Sequence, residues 1–502
     1  MNREIDFSGA RGSNTGDVYH ELWAVRAALQ LLDSSSGLDA LVVEGVPSVD
    51  GSGSQWDGVD CTLLFGGRSI QTAERVVIQQ LKYSASKPKK SWTPSRACFG
   101  PSASDPSSSL MRGLGKAFRE VVKLRKGGEF GDISIELATN QPISDQILKA
   151  IDRAKREGVP SSFSTEWKAG EDKLHRLVHA SGLSSSEFEK FANCLKFISQ
   201  TSSRFRLEEK MLVEISAWTE AEFVEVSQRL RNYVRNKMMM PETAGEIIEK
   251  ESILIQFGVT DHRALFPCPA NVKAVPNLVP REISRRLCEA VAGGQQRLLL
   301  HGTGGVGKST VLQELPDLLP DGSEVVVFDC YGAGSYMDAS AARHRSRDAF
   351  VQLANELASR LKLPSFLEPK SDIDFARAFN KRLELAAETF SRTRPDATLL
   401  IVIDAADNSI SAANARKPQE ESFVVDLVSF EELPRNVALL ISARTGRRDD
   451  LKLPSSFKPF ELLPFTRPET ESFVRSVWNA PKTCIDDFHR LTHGTPRVQN
   501  YA

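Results

Sequence analysis

The chain has 502 residues, 41% hydrophobic and 26% charged, with 64 Lys and Arg against 65 Asp and Glu for a formal net charge of −1. At roughly 100–200 residues per domain this length predicts about three domains, and the apolar content excludes wholesale disorder. Near-neutral charge excludes a uniformly basic protein, so any surface for nucleic acid must be local.

The N-terminus, MNREIDFSGARGSNTGD, lacks the apolar core of a secretory signal. No apolar run reaches the ~18 residues that span a bilayer, so a cytoplasmic protein without a membrane partner is expected. The seven cysteines are scattered and form no C-x-x-C pair, which argues against a zinc site or a disulfide framework.

From Asp17 to Leu32 the residues Val18, Leu22, Val25, Leu29 and Leu32 recur at helical spacing and predict an amphipathic helix. Strand-like runs follow at 41–46, 59–65, 76–82 and 133–139, with turn residues at Gly51-Ser-Gly-Ser and Gly66-Gly67 between them. A helix leading into a mixed sheet is the expected first domain, interrupted by a Pro/Ser-rich loop at 99–109. The segment 161–250 reads as helical, with Phe188, Phe191, Leu195 and Ile198 on one side of one helix. Pro267, Pro269, Pro276 and Pro280 then mark a joint, because each proline removes a backbone donor. Beyond it, strands at 297–300, 324–329, 399–404 and 437–442 alternate with helices and predict a parallel α/β sheet.

Between the first of these strands and the next helix lies Gly302-Thr-Gly-Gly-Val-Gly-Lys-Ser-Thr310, which contains G-x-x-x-x-G-K-S. Gly302, Thr303, Gly304, Gly305, Val306 and Gly307 form a loop whose N–H groups can point at phosphate oxygens, with Thr310 following at the helix start. Lys308 is placed for the β- and γ-phosphates of ATP, and Ser309 for Mg²⁺. The strand Leu-Leu-Ile-Val-Ile-Asp404 supplies a carboxylate for the Mg²⁺ shell, and Asp407 a second carboxylate to orient the attacking water. Arg444 ends the strand VALLISAR and is a candidate γ-phosphate cation.

Together, GTGGVGKST, IVIDAAD, LLISART, the FDCYGAGSY run and Gly494-Thr-Pro496 resemble the STAND class of signal-transducing P-loop ATPases. The resemblance implies ATP-dependent oligomerisation, Pro496 at the nucleotide, and a C-terminal repeat domain that recognises a trigger. The sequence stops just after the GxP motif, so the sensor is expected to be missing or supplied by another chain.

In the first block, Asp60 opens the strand VDCTLLF and the next strand ends Gln80-Leu-Lys82, a spacing that resembles the PD-(D/E)xK nuclease core. Alternation along a strand puts Gln80 and Lys82 on one face. Asp60 and Gln80 are candidate metal ligands, Lys82 can stabilise the hydroxide or the developing phosphorane charge, and Glu44 and Glu21 are candidate additional carboxylates. Between Lys82 and Lys126 basic residues far outnumber Asp105 and Glu120, which suits a phosphate backbone. Tyr83 and Trp92 are candidates for base stacking and equally for packing within the protein.

The segments GDVYHELWAVRAALQLL, QLKYS, SWT and LATN are similar to the endonuclease domain shared by CBASS and antiviral STAND (Avs) systems, over about the first 200 residues. That resemblance implies metal-dependent, largely sequence-nonspecific cleavage of double-stranded DNA with Mg²⁺. Cleavage would switch on when ATP-bound protomers assemble as a homo-oligomer, such as a tetramer, after sensing a phage protein. The Gln80 position departs from the acidic residue of the broader nuclease pattern.

The expected organisation is therefore α/β throughout. A restriction-endonuclease-like mixed sheet with helices occupies 1–200 and a helical connector with a Pro-rich linker 201–280. A P-loop STAND ATPase core with a parallel sheet follows at 281–465, and the start of a helical lid at 466–502. Two other functional readings fit less of the pattern: an NTP-dependent restriction-like nuclease that recognises DNA directly, and an ATP-regulated scaffold that binds nucleic acid or protein without cutting.

Overall fold

The computed structural model describes residues 8–47, 58–99, 108–125, 132–164, 172–219, 223–240, 243, 245–271, 275, 278–339, 342–367, 374–477 and 481–502. The Gly51 turn, Asp105 with most of the Pro/Ser-rich segment, Lys126 and Pro276 lie outside the described residues. The chain divides into two compact units, Met1–Thr260 and Asp261–Ala502.

The first unit is built on a five-stranded mixed sheet of β1 (Leu38–Val43), β2 (Cys61–Phe65), β3 (Arg75–Lys82), β4 (Ile133–Thr139) and β5 (Leu195–Ile198), in that spatial order. β1, β2 and β3 are antiparallel, whereas β4 and β5 run parallel to β3. The middle strand β3 is buried from Val76 to Leu81, so its apolar run is nearly continuous rather than alternating, as expected of a strand covered on both faces. Val76 and Ile78 join Leu114, Phe118, Leu177, Phe188 and Phe191, from the helices Leu110–Leu124, Lys173–Ser181 and Ser185–Cys194, in one core.

The helix Ser8–Leu29 buries Tyr19, Leu22 and Val25 and packs against the helices Arg204–Trp218 and Phe223–Met239. Those two helices were expected in a separate connector. They lie within the first unit because Leu207, Met211, Ile215, Leu230 and Val234 are buried there, and Arg26 pairs with Glu214. One helical expectation fails. The helix carrying Phe188 and Phe191 ends at Cys194, and Leu195–Ile198 instead pairs with the open edge of β4, a tertiary partner that helical spacing cannot register.

The second unit holds a five-stranded, all-parallel sheet of β6 (Arg297–Gly302), β7 (Glu324–Asp329), β8 (Leu399–Asp404), β9 (Val437–Arg444) and β10 (Lys458–Glu461), ordered β10-β6-β9-β8-β7. Every residue of β8 is buried, which is why it reads as an uninterrupted apolar run. One face packs on the helices Glu282–Ala292 and Lys308–Leu318 through Leu287, Leu298, Leu300, Val311 and Leu315. The other packs on Ser346–Leu361, Phe375–Thr393 and Phe423–Val428 through Phe350, Phe379, Phe390 and Phe423. β10 was not expected from sequence, because only Phe460 of its four residues is buried on this edge strand. The helices Arg467–Val477, Lys482–Thr492 and Pro496–Tyr501 follow, with Val474 and Ile485 forming a small core of their own.

Candidate functional site

In a parallel α/β sheet the carboxyl ends of the strands form the edge where ligands are held, and β6, β8 and β9 all end at one such edge. The loop after β6 turns through Gly305 at φ +82° and Gly307 at φ +96°, left-handed values that glycine tolerates without strain. The helix Lys308–Leu318 then starts at the loop, so its first N–H groups face the cavity with the positive end of the helix dipole. The Lys308 ammonium spans the loop, donating to the carbonyls of Gly302 at 2.9 Å and Thr303 at 3.0 Å. Burial lowers the Lys308 pKa, against the opposing pull of Asp407 and Asp404.

The Ser309 hydroxyl donates to Asp404 Oδ2 at 2.6 Å, and the Ser442 hydroxyl of β9, the strand between β6 and β8, donates to Asp404 Oδ1 at 2.5 Å. Burial raises the Asp404 pKa and these two hydrogen bonds pull it back down. The inserted strand thus supplies a hydroxyl that fixes the carboxylate facing the P-loop. Asp407 is buried at the start of the helix Ala406–Ala415 and accepts from Arg444 Nε at 2.6 Å.

A cavity of about 880 Å³ opens here. Gly304, Gly305, Gly307, Lys308, Ser309, Thr310, Asp404, Asp407, Arg444 and Pro496 all line it. Gly302 and Thr303 contribute through their carbonyls to Lys308, while the Val306 side chain is buried in the core below the loop. A Cβ at Gly304 would meet nothing within 4 Å, so the loop mouth is open where phosphates would approach. N–H groups, a cation and a hydroxyl–carboxylate pair in this order fit a magnesium–triphosphate group.

Three participants were not identified from sequence. Arg281, only 8% exposed, donates to the Leu463 carbonyl at 2.8 Å, pairs with Glu469 at 2.8 Å and lies 4.9 Å from the Phe465 ring centroid. Nothing in its local sequence marks it. Arg497 donates its backbone N–H to the Gly305 carbonyl at 3.1 Å, and its place directly after Gly494-Thr-Pro496 is a usable marker. Tyr331 lines the cavity from the loop after β7.

In the first unit a second cluster assembles where the end of β1, the start of β2 and the end of β3 lie side by side, with β2 in the middle. The Asp60 N–H donates to the Gln79 carbonyl at 2.9 Å, and its carboxylate accepts from the Leu81 N–H at 2.5 Å, pinning Asp60 on either side of Gln80. The Glu44 N–H donates to the Asp60 carbonyl at 2.9 Å, with Glu44 held at φ +52°, a left-handed conformation that is costly for a residue with a side chain. His20, from the helix Ser8–Leu29, places Nδ1 3.8 Å from Asp60 Oδ1 and 3.9 Å from Glu44 Oε1. Burial lowers the His20 pKa, but the Glu44 and Asp60 carboxylates outweigh it and the net shift is upward. Gln80 is 5% exposed and its Oε1 has no hydrogen-bond partner among the described residues, while Lys82 follows on the same face of β3. Two carboxylates and an imidazole with one ligand atom each within 4.8 Å of the others fit a divalent cation.

Glu21 is not part of this cluster. Its buried carboxylate accepts from Arg231 Nε at 2.5 Å and Arg235 Nε at 2.8 Å, because it leaves the helix in a different direction from His20. His20 was missed because a single histidine between a tyrosine and a glutamate has no ligand spacing to betray it.

Part of the basic segment is also committed elsewhere. Arg119 pairs with Glu187, Arg125 with Asp132, and Arg96 lies 3.9 Å over the Trp92 ring. Lys87, Lys89, Lys90, Lys116 and Lys123 are exposed. Trp92 is buried, and Tyr83 stacks on Tyr19 at 4.6 Å, so both proposed base-stacking rings pack within the protein.

The fold and cavity of the second unit define a P-loop nucleotide-binding module. Residues 281–440 match the AAA ATPase domain family. No curated protein matches the chain. Among solved structures it is similar to the ORC2 protein of Aeropyrum pernix in its ADPNP–ADP complexes, at 12% identity and a TM-score of 0.30, covering 46% of this chain and 62% of that one. It is also similar to a STAND protein with a tetratricopeptide repeat sensor from Pyrococcus horikoshii, at 15% identity and a TM-score of 0.28, covering 46% and 31%. The aligned region is less than two thirds of either structure's own chain.

Proposed function

We propose that this chain is a STAND-type antiviral defence protein in which ATP-dependent self-assembly activates a metal-dependent endonuclease acting on double-stranded DNA. The observation that carries the reading is the cluster of His20, Glu44 and Asp60, with Asp60 hydrogen-bonded to β3 on either side of Gln80 and Lys82 close enough to act on His20, in a chain whose residues 281–440 match the AAA ATPase domain family.

In the second unit, the loop N–H groups and Lys308 bind the phosphates, and Ser309 with Asp404 holds Mg²⁺. Asp407 orients water, and Arg444 answers the γ-phosphate. In the first unit, Asp60, Glu44 and Gln80 hold a divalent cation. When bound, such a cation lowers the pKa of water enough to make hydroxide available near neutral pH. Lys82 stabilises charge developing on the scissile phosphate, and the exposed lysines Lys87, Lys89, Lys90, Lys116 and Lys123 track the DNA backbone, an attraction that weakens as salt rises. Assembly in the cytoplasm, triggered by a phage protein, raises the local concentration of nuclease sites and of their basic surfaces.

The test incubates full-length protein with ATP, a divalent metal and candidate phage proteins, and follows plasmid integrity together with particle size. Lys82→Ala should assemble and not cut, whereas Lys308→Ala should lose nucleotide binding and neither assemble nor cut. Normal cutting by Lys82→Ala would sink the nuclease assignment. ATP-driven assembly with no cutting under any trigger would favour a non-catalytic scaffold instead.

A further inference from the structure

Beyond the residues used so far, His20 stands at the first-unit cluster on a different element from the carboxylates. We infer that His20 is a direct metal ligand, and that with Glu44 and Asp60 it makes a mixed nitrogen–oxygen site selective for first-row transition ions such as Mn²⁺ over Mg²⁺. The inference rests on the metal-nuclease reading of this cluster and specifies which ion it takes.

Distance separates ligation from the simpler possibility of a histidine paired with its neighbours. A direct hydrogen bond between an imidazole nitrogen and a carboxylate oxygen spans about 2.7–3.2 Å. The His20 separations of 3.8 Å from Asp60 and 3.9 Å from Glu44 exceed that. They stay below about 4.2 Å, twice a metal–ligand bond of about 2.1 Å and so the widest separation that two ligands of one ion can have. One ligand atom from each of the three residues lies within 4.8 Å of the others, so a single ion between them needs only small side-chain adjustments.

Two further observations point the same way. Gln80, 5% exposed, carries an Oε1 without a partner among the described residues, and leaves β3 between the two hydrogen bonds that pin Asp60. Glu44 keeps a left-handed backbone at φ +52° beside Asp60, in a turn whose neighbours Val43, Gly45 and Val46 are buried.

Ligand chemistry then selects the ion. Mg²⁺ prefers an all-oxygen shell, holds its waters tightly and seldom takes imidazole. First-row transition ions accept imidazole together with carboxylates, and their affinity for such a set rises along the Irving–Williams order from Mn²⁺ upward. The nucleotide cavity has no histidine among its lining residues, so a nitrogen-ligated ion can be assigned to the first unit.

The experiment uses the nucleotide-free full-length chain with Mn²⁺ alone, read by equilibrium binding and by the electron spin echo modulation that directly bound imidazole nitrogen produces. Wild type should show the nitrogen modulation and bind Mn²⁺ at least about tenfold more tightly than Mg²⁺. His20→Ala and the more conservative His20→Gln should both lose the modulation and weaken Mn²⁺ binding by about tenfold to a hundredfold. Circular dichroism establishes that each variant is folded. Mn²⁺ binding that disappears in Asp60→Asn but shows no nitrogen modulation and survives His20→Gln would overturn the inference and leave the metal-nuclease reading standing. Mn²⁺ binding indifferent to Asp60→Asn would overturn both.

Discussion

Arg444, the last residue of β9, holds Asp407, near the start of the helix after β8, through Nε at 2.6 Å and its own N–H at 3.3 Å, and extends Nη2 to the Asn408 side-chain oxygen. The two residues that sequence singles out for separate jobs are therefore one ion pair. The Asp407 side chain is 1% exposed at the cavity wall, so Arg444 neutralises an almost fully buried carboxylate. A γ-phosphate approaching Arg444 competes with Asp407 for the same donors. Arg444→Ala should accordingly lower ATP hydrolysis at least about tenfold and destabilise the second unit by about 3 kcal/mol, because it strands a buried charge. Asp407→Asn should stop hydrolysis at little cost in nucleotide affinity. Steady-state turnover measured beside equilibrium binding checks both, and wild-type turnover in Arg444→Ala would refute the role.

The GxP turn offers a test that touches no phosphate-facing side chain. Gly494 sits at φ +62°, and a Cβ there would overlap the Phe465 carbonyl oxygen, while the Phe465 N–H donates to the Gly494 carbonyl at 2.7 Å. Two and three residues on, Pro496 lines the nucleotide cavity and Arg497 is bonded to Gly305. Gly494→Ala should cost about 1–3 kcal/mol through backbone strain and weaken nucleotide binding by dislodging this turn. Unchanged nucleotide affinity would mean that the turn closes the cavity without supporting it.

Glu21, adjacent in sequence to His20, ties the first helix to Arg231 and Arg235 on the helix Phe223–Met239. The pairing is asymmetric in exposure. Glu21 is 4% exposed at its side chain, whereas Arg231 and Arg235 are 23% and 44% exposed. Replacing both arginines with alanine leaves a buried carboxylate alone and should cost about 3–5 kcal/mol. Glu21→Gln leaves two cations that water can reach and should cost about 1–2 kcal/mol. Chemical denaturation of the three proteins distinguishes these values, and equal costs would contradict the exposure argument.

One pH dependence follows from Glu187, which closes a capping box with Ser184 and accepts from Arg119 at 2.8 and 3.0 Å. Arg119 is the largest influence and holds the Glu187 carboxyl down at about 2, against an ordinary value of 4.5. A depressed carboxyl pKa stabilises the fold above the ordinary value and loses that contribution as pH falls from 4.5 toward 2. The pair is partly exposed, so after solvent screening Glu187→Gln should cost about 1 kcal/mol at pH 7. The difference from wild type should shrink as the pH drops through that window. A gap that stays constant from pH 7 to pH 2.5 would remove the ionisation from the explanation.

The legible parts of this protein are those whose cause is local. Strands β3, β7, β8 and β9 announce themselves as apolar runs because both their faces are covered, and the P-loop announces itself because its glycines are required by the turn. β5 and β10 are four residues each and exist only because a neighbouring strand leaves its edge open. The basic stretch after Lys82 reads as a continuous patch, yet its arginines find Glu187, Asp132 and the Trp92 ring once the helices are packed.

The same division runs through the two sites. Sequence alone determines the nucleotide loop, because the consecutive backbone positions from Gly302 to Gly307 create the phosphate cradle and need no distant partner. The first-unit cluster draws on a helix, a turn and two strands, and sequence could nominate Glu44, Glu21, Asp60, Gln80 and Lys82 but could not rank them. Only the tertiary structure turned Glu21 away toward two arginines and brought in His20. Adjacent residues on a helix leave it about 100° apart, so the way the helix packs decides which one meets the carboxylates.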